Sequence, residues 1–193
     1  MAFSDYTDLR IAVAEQVGNR EISDVLDRFT KQAEAFLNRE LRCREMLMNA
    51  TLTFASGLAP LPSDFIEVMT LFDANRKPMP AAVYGIARRN GYEYSVTATS
   101  VFVYGLDGAT RDLEYYAKLP TLTASLTTTN WLLAKSPNLY LYAVSLEAAK
   151  WLKDAELSTA MAGLLKDEMQ SLAWSDMRGR FGSSVVATAG YGP

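Results

Sequence analysis

Ile22, Val25, Leu26, Phe29, Ala33, Phe36 and Leu37 recur at three- and four-residue intervals, with Asp24, Asp27, Lys31, Glu34 and Asn38 opposite them. At 3.6 residues per turn this spacing gathers the apolar side chains into one stripe, which predicts a helix that buries a single face. A one-faced helix cannot stand alone, so the rest of the chain must supply elements to cover it. A first helix is expected near Tyr6 to Val17, ended by Gly18-Asn19. Beyond the second helix, Arg39, Arg42 and Arg44 alternate with Glu40 and Glu45, which reads as a solvated helix end rather than a binding patch.

From about Leu47 to Lys118 the period shortens. Thr51 to Phe54 alternates, and Ile66 to Phe72 is a strand-length run that stops at the turn-rich stretch Asp73 to Pro78. Tyr94 to Thr97, Val101 to Tyr104 and Leu113 to Ala117 are further β-branched and aromatic runs, split by Ala98-Thr99-Ser100 and Asp107-Gly108. This middle third predicts a small antiparallel β region, with one short helix over Ala81 to Arg89. Leu119 to Asn130 carries no charge and is rich in threonine. It reads either as a long exposed contact loop or as a threonine-rich edge strand.

Helices return at Ser136-Pro137, where serine suits an N-cap and proline the first turn. Leu139 to Leu152 forms one, and Asp154 caps another that carries Leu157, Met161, Leu164, Leu165, Glu168, Met169 and Leu172 at helical spacing. Trp174 falls nearly opposite Leu165 on that helix. It marks either a partner surface or the second side of a helix sandwiched within the fold. Residues 181–193 hold no charge and include Phe181, Val185, Val186 and Tyr191. An apolar, β-prone tail suits ordering on a neighbouring chain.

The chemistry the chain lacks narrows its function. It has no histidine, which removes Ser-His-Asp and Cys-His arrangements and histidine-bearing zinc sites. A single cysteine, Cys43, supplies neither a metal cage nor an intrachain disulfide. No Ser-x-x-Lys pattern, GxxxxGK[ST] loop or GxGxxG turn occurs. Carboxylate pairs remain, and Asp64/Glu67 or Asp167/Glu168 are the nominees for a glycosidase, which needs two acids roughly 5 to 10 Å apart. Both read better as a turn acid and a surface helix pair. The apolar stretches fall short of the roughly 20 residues of a membrane span, and Met1 to Arg10 lacks a signal-peptide pattern, so a soluble interior protein is expected. A net charge of −3 with interspersed signs offers no general nucleic-acid surface.

Two blocks carry a resemblance. Leu61-Pro62-Ser63-Asp64-Phe65-Ile66-Glu67 is one; Glu114-Tyr115-Tyr116-Ala117-Lys118-Leu119-Pro120, with Asn130-Trp131-Leu132-Leu133 and Pro137-Asn138-Leu139-Tyr140-Leu141-Tyr142, is the other. They resemble the head-to-tail adaptor (connector) proteins of tailed bacteriophages, and the order of elements is similar over most of the chain. The resemblance implies an α+β fold in which the N- and C-terminal helices make a bundle and the β region is an insertion. The expected parts are residues 1–46, 47–130 with the loop, 131–180, and the tail 181–193. It also implies a virion neck protein made in the host cytoplasm, non-enzymatic and without cofactor or metal. Such proteins form a ring, usually of twelve copies, beneath the portal protein, with DNA passing through the centre and a nozzle, stopper or tail tube following. The implied tail contact with the portal makes Phe181, Val185, Val186 and Tyr191 the portal candidates. Trp174, Leu122, Thr127 and Trp131 are the candidates for contact with neighbouring subunits or the next ring. Two other readings stay open: a tail-associated cell-wall glycan hydrolase, and a binding module with a pocket for a small ligand.

Overall fold

The structure is a computed structural model that describes residues 3–83 and 90–181, the side chain of Phe181 excepted. It is an α+β chain of two compact units, Met1–Glu45 with Leu119–Pro193, and Met46–Lys118.

The first unit is helical. Asp5 caps α1 (Tyr6–Gln16) by accepting the Asp8 N–H at 3.1 Å, and Gly18 and Asn19, both at positive φ, end it. α2 (Leu26–Glu40) begins four residues after Ile22, yet Ile22 is buried with Leu26, Phe29, Ala33 and Leu37, so the stripe is one surface although its start lies outside the helix. α3 (Trp131–Lys135) is short and leads into α4 (Pro137–Trp151). Leu139, Tyr140 and Leu141 are consecutive and all buried, which requires cover over more than half of the helix's circumference. α1, α2, α3 and α5 (Ala155–Phe181) all pack on α4. Lys153 at φ 57° turns the chain from α4 to α5, and Asp154 then caps α5 through the Leu157 N–H at 3.1 Å, as the sequence predicts.

One expectation fails here. Ser136 makes no capping bond with its side chain; its hydroxyl lies 3.5 Å from the Glu168 carboxylate instead. The segment Leu119–Asn130, read as either a contact loop or an edge strand, forms no strand and is largely exposed. It belongs to the helical unit, holds a 3-10 turn at Leu122–Ala124, and buries Leu119, Leu122 and Asn130.

The second unit holds two three-stranded antiparallel sheets. β1 (Leu47–Thr53), β6 (Thr110–Ala117) and β3 (Phe65–Leu71) form one in the order β1-β6-β3. β2 (Leu58–Pro60), β5 (Ser100–Val103) and β4 (Tyr94–Val96) form the other in the order β2-β5-β4. Their inward residues share one core, with Leu52, Phe54, Leu71 and Leu113 from the first meeting Ala59, Val101 and Val103 from the second. β1 and β2 are joined by Ser56-Gly57 at φ 50° and 83°, both positive as a two-residue hairpin turn requires. The Asp73 side chain organises the turn after β3 by accepting the Asn75 and Lys77 N–H groups at 2.7 and 2.8 Å. The short helix expected over Ala81 to Arg89 falls mostly outside the described residues, and its described start, Ala81, bridges Tyr94 in extended form.

Candidate interaction surfaces

Two of the four acids nominated for catalysis, Asp64 and Glu168, are engaged in structure. Asp64 accepts the Tyr115 hydroxyl at 3.0 Å through its carboxylate and the Lys118 N–H at 2.7 Å through its carbonyl. Phe65 stacks on Tyr115 with ring centroids 5.9 Å apart, and Phe65 pairs with Ala117 across the β3–β6 ladder. The two blocks that carry the resemblance are therefore cross-strand partners. Glu168 sits 3.4 Å from Asn138 Nδ2, while Asp167 is exposed on α5. Among the described residues no group of three or more histidine, cysteine or acidic side chains is placed to hold a metal, and no helix is long and apolar enough to cross a membrane.

A second set of contacts pins the 119–130 segment to the helices. Glu34, on α2, accepts the Leu122 N–H and the Thr121 hydroxyl, each at 2.8 Å. The Asn130 side-chain amide donates to Pro120 O at 2.7 Å and to the Tyr140 oxygen at 2.8 Å. Asn130 Oδ1 meanwhile caps α3 by accepting the Leu133 N–H at 3.0 Å. Burial raises the Glu34 carboxyl above its ordinary pKa, outweighing the hydrogen bonds that favour its charged form. Burial, with the Glu34 charge beside it, likewise raises the Tyr140 hydroxyl.

At the far end of α5, Asp176 is buried and accepts the Arg44 N–H at 2.8 Å and Arg180 Nε at 2.6 Å. Gly179 leaves room for the Arg44 guanidinium, since a Cβ there would lie 1.8 Å from it. The end of α5 is thus tied to the chain just beyond α2. Cys43, beside this corner, is buried, and its thiol is pushed up to about 11 by burial and then by the Glu45 and Asp176 carboxylates. That leaves it a small apolar filler and not a nucleophile.

The surface features stand apart from these contacts. Trp174 is 61% exposed, with Met177 a turn further along α5 also exposed. Between α2, α4 and α5 runs an apolar groove of about 530 Å³, with Phe36, Leu146, Leu165 and Met169 among its lining. Leu164, expected within the buried stripe of α5, is exposed, because the covered face runs through Met161, Leu165 and Leu172. Thr127 is exposed and Trp131 half-buried, but Leu122 is fully buried and has no surface to offer a partner. Phe181 closes α5, and its side chain, with Val185, Val186 and Tyr191, lies outside the described residues. Ile11 and Leu126 are large exposed hydrophobics that sequence reading passes over. Ile11 sat unremarked within a predicted helix, and Leu126 in a segment whose conformation the sequence left open.

The sequence profile of the SU10 adaptor protein family matches residues 4–188, which takes in both compact units. The chain belongs to that family. It is a family of bacteriophage head-to-tail adaptors, structural in role. The resemblance read from the two blocks is the same one. In this adaptor the blocks build the β3–β6 pairing, and the Asn130 and Tyr140 of the second block hold the segment that leads from the β region into α3. No relative among curated proteins matches the chain.

Proposed function

We propose that this adaptor is one subunit of a closed ring that docks beneath the portal protein, joins it to the next tail component and lets double-stranded DNA pass through its centre. The family match across 4–188 carries the reading, because it spans the helical unit, the β unit and the start of the tail. Twelve copies is the number that the resemblance implies.

Within this reading the uncharged tail reaches the portal through Phe181, Val185, Val186 and Tyr191. A segment that is apolar and lies beyond a firmly tied helix end is suited to add to another chain's surface. Trp174, Thr127 and Trp131 contact neighbouring subunits or the following ring, with Leu122 holding the 119–130 segment in place from within. The tail component that follows, whether nozzle, stopper or tail tube, meets the other side of the ring. A balanced surface charge serves a lumen that DNA must slide past without strong attraction.

Co-sedimentation with portal rings tests the tail's part. The full chain is expected to sediment with the portal and a chain ending at Phe181 to remain in solution while keeping its helical circular dichroism. Equal sedimentation of both would remove the tail from the contact.

A further inference from the structure

The apolar groove between α2, α4 and α5 lies wholly within the helical unit. Its α5 wall runs along the helix from Ala162 to Ala173. The charged residues of its lining, Glu40 and Lys166, are one acid and one base, so the groove selects for neither sign. What it favours is an uncharged segment that covers its apolar surface.

The apolar line on α5 continues past the groove. Leu165, Met169, Ala173 and Met177 succeed one another at four-residue intervals, and Phe181, the last residue of α5, follows at the same interval. Met177 is exposed, so the line leads over open surface to the point where residues 182–193 begin.

Length and composition name the occupant. From Phe181 back to Ala162, α5 measures about 28 Å at a rise of 1.5 Å per residue. Residues 182–193 span up to roughly 40 Å when extended, enough to return past Met177 and lie along the whole groove. Gly182 stands directly after the helix, where glycine lets a chain take the left-handed conformation and turn back. The segment holds no charge. Counted back along α5 at about 3.3 Å per residue, Val185 and Val186 come level with Ala173 and Gln170, and Tyr191 reaches the Ala162 end.

We propose that in the free adaptor residues 182–193 fold back along α5 and seat Val185, Val186 and Tyr191 in the α2/α4/α5 groove of the same chain. The groove then competes with the portal for the tail. That competition rests on the portal reading, whereas the seat within the chain does not.

The test is made on the purified full-length adaptor. Val186→Cys is paired in one chain with Ala173→Cys, in the groove, and in another with Ser171→Cys, which is exposed at nearly the same height but on nearly the opposite side of α5. Native Cys43 is buried and out of reach. Mild oxidation is expected to close the Ala173 disulfide within single chains many-fold faster than the Ser171 one, read by intact mass and peptide mapping. Equal rates would overturn the seat. Linkage between chains in place of linkage within them would also overturn it and give the groove to a second copy. As a measurement without cysteines, Ala173→Glu, at an exposed position, is expected to raise hydrogen exchange over residues 183–192 several-fold; unchanged exchange would count against the seat. The chain locked through Ala173→Cys is expected to stay in solution when portal rings are sedimented, and to join them once reduced. Sedimentation of the locked chain would overturn the competition. Failure of both forms to sediment would overturn the portal reading and leave the seat standing.

Discussion

The Tyr115 hydroxyl donates to the Asp64 carboxylate across 3.0 Å, binding the turn before β3 to the middle of β6. Removing one partner of a single such bond costs about 1 kcal/mol. Tyr115→Phe is therefore expected to lower the unfolding free energy by that amount, moving the urea midpoint down with no change in slope. Asp64→Asn keeps an acceptor oxygen and is expected to cost less. Equal loss from both would show that the carboxylate charge matters beyond this bond.

Gly57 stands at φ 83° in the β1–β2 hairpin, and a Cβ there would lie 2.9 Å from the Val103 carbonyl oxygen. Backbone cannot yield as a flexible side chain does. The left-handed conformation alone costs a non-glycine residue roughly 1–2 kcal/mol. Gly57→Ala is expected to lose at least that much by thermal or chemical unfolding; unchanged stability would mean the turn adopts another form.

Glu34 is raised above its ordinary pKa of 4.5 because it is buried. Between that value and the raised one the folded chain holds a proton that the unfolded chain has released, so this group's contribution to stability falls as pH rises through the window. Glu34→Gln removes the titration and can still accept the Leu122 N–H. The variant is expected to gain on the parent as pH climbs from about 4.5. Parallel pH profiles would show that the carboxylate titrates alike in both states.

Asp176 holds two donors at the buried end of α5, the Arg44 N–H and Arg180 Nε. Its loss leaves both without this acceptor. Asp176→Ala is expected to cost about 2 kcal/mol and to speed hydrogen exchange over the last turns of α5 more than over α4. Uniform exchange changes would place the effect in the whole unit.

The parts of this fold that could be read from sequence are those set by neighbours in sequence. The α2 stripe, the Asp154 cap and the Asp73 turn each depend on residues within a few positions of one another. The segment 119–130 could not be read that way, because its shape is imposed by Glu34, 88 residues from Leu122. Ser136 misled for a related reason: Glu168, 32 residues away, draws off its hydroxyl. Asp176 carries no local sequence signal, since only the fold brings Arg44 to it. Trp174 stands out in the sequence as a misfit on the helical wheel, but only the fold shows it exposed, as it does Ile11 and Leu126 on two distant segments.

The most direct test of the adaptor's proposed role is its mass by native mass spectrometry, alone and after mixing with purified portal rings. A single discrete complex, carrying one fixed and ring-like number of adaptor copies on each portal ring, is the predicted result. A portal mass that stays unchanged at every adaptor concentration would contradict the account.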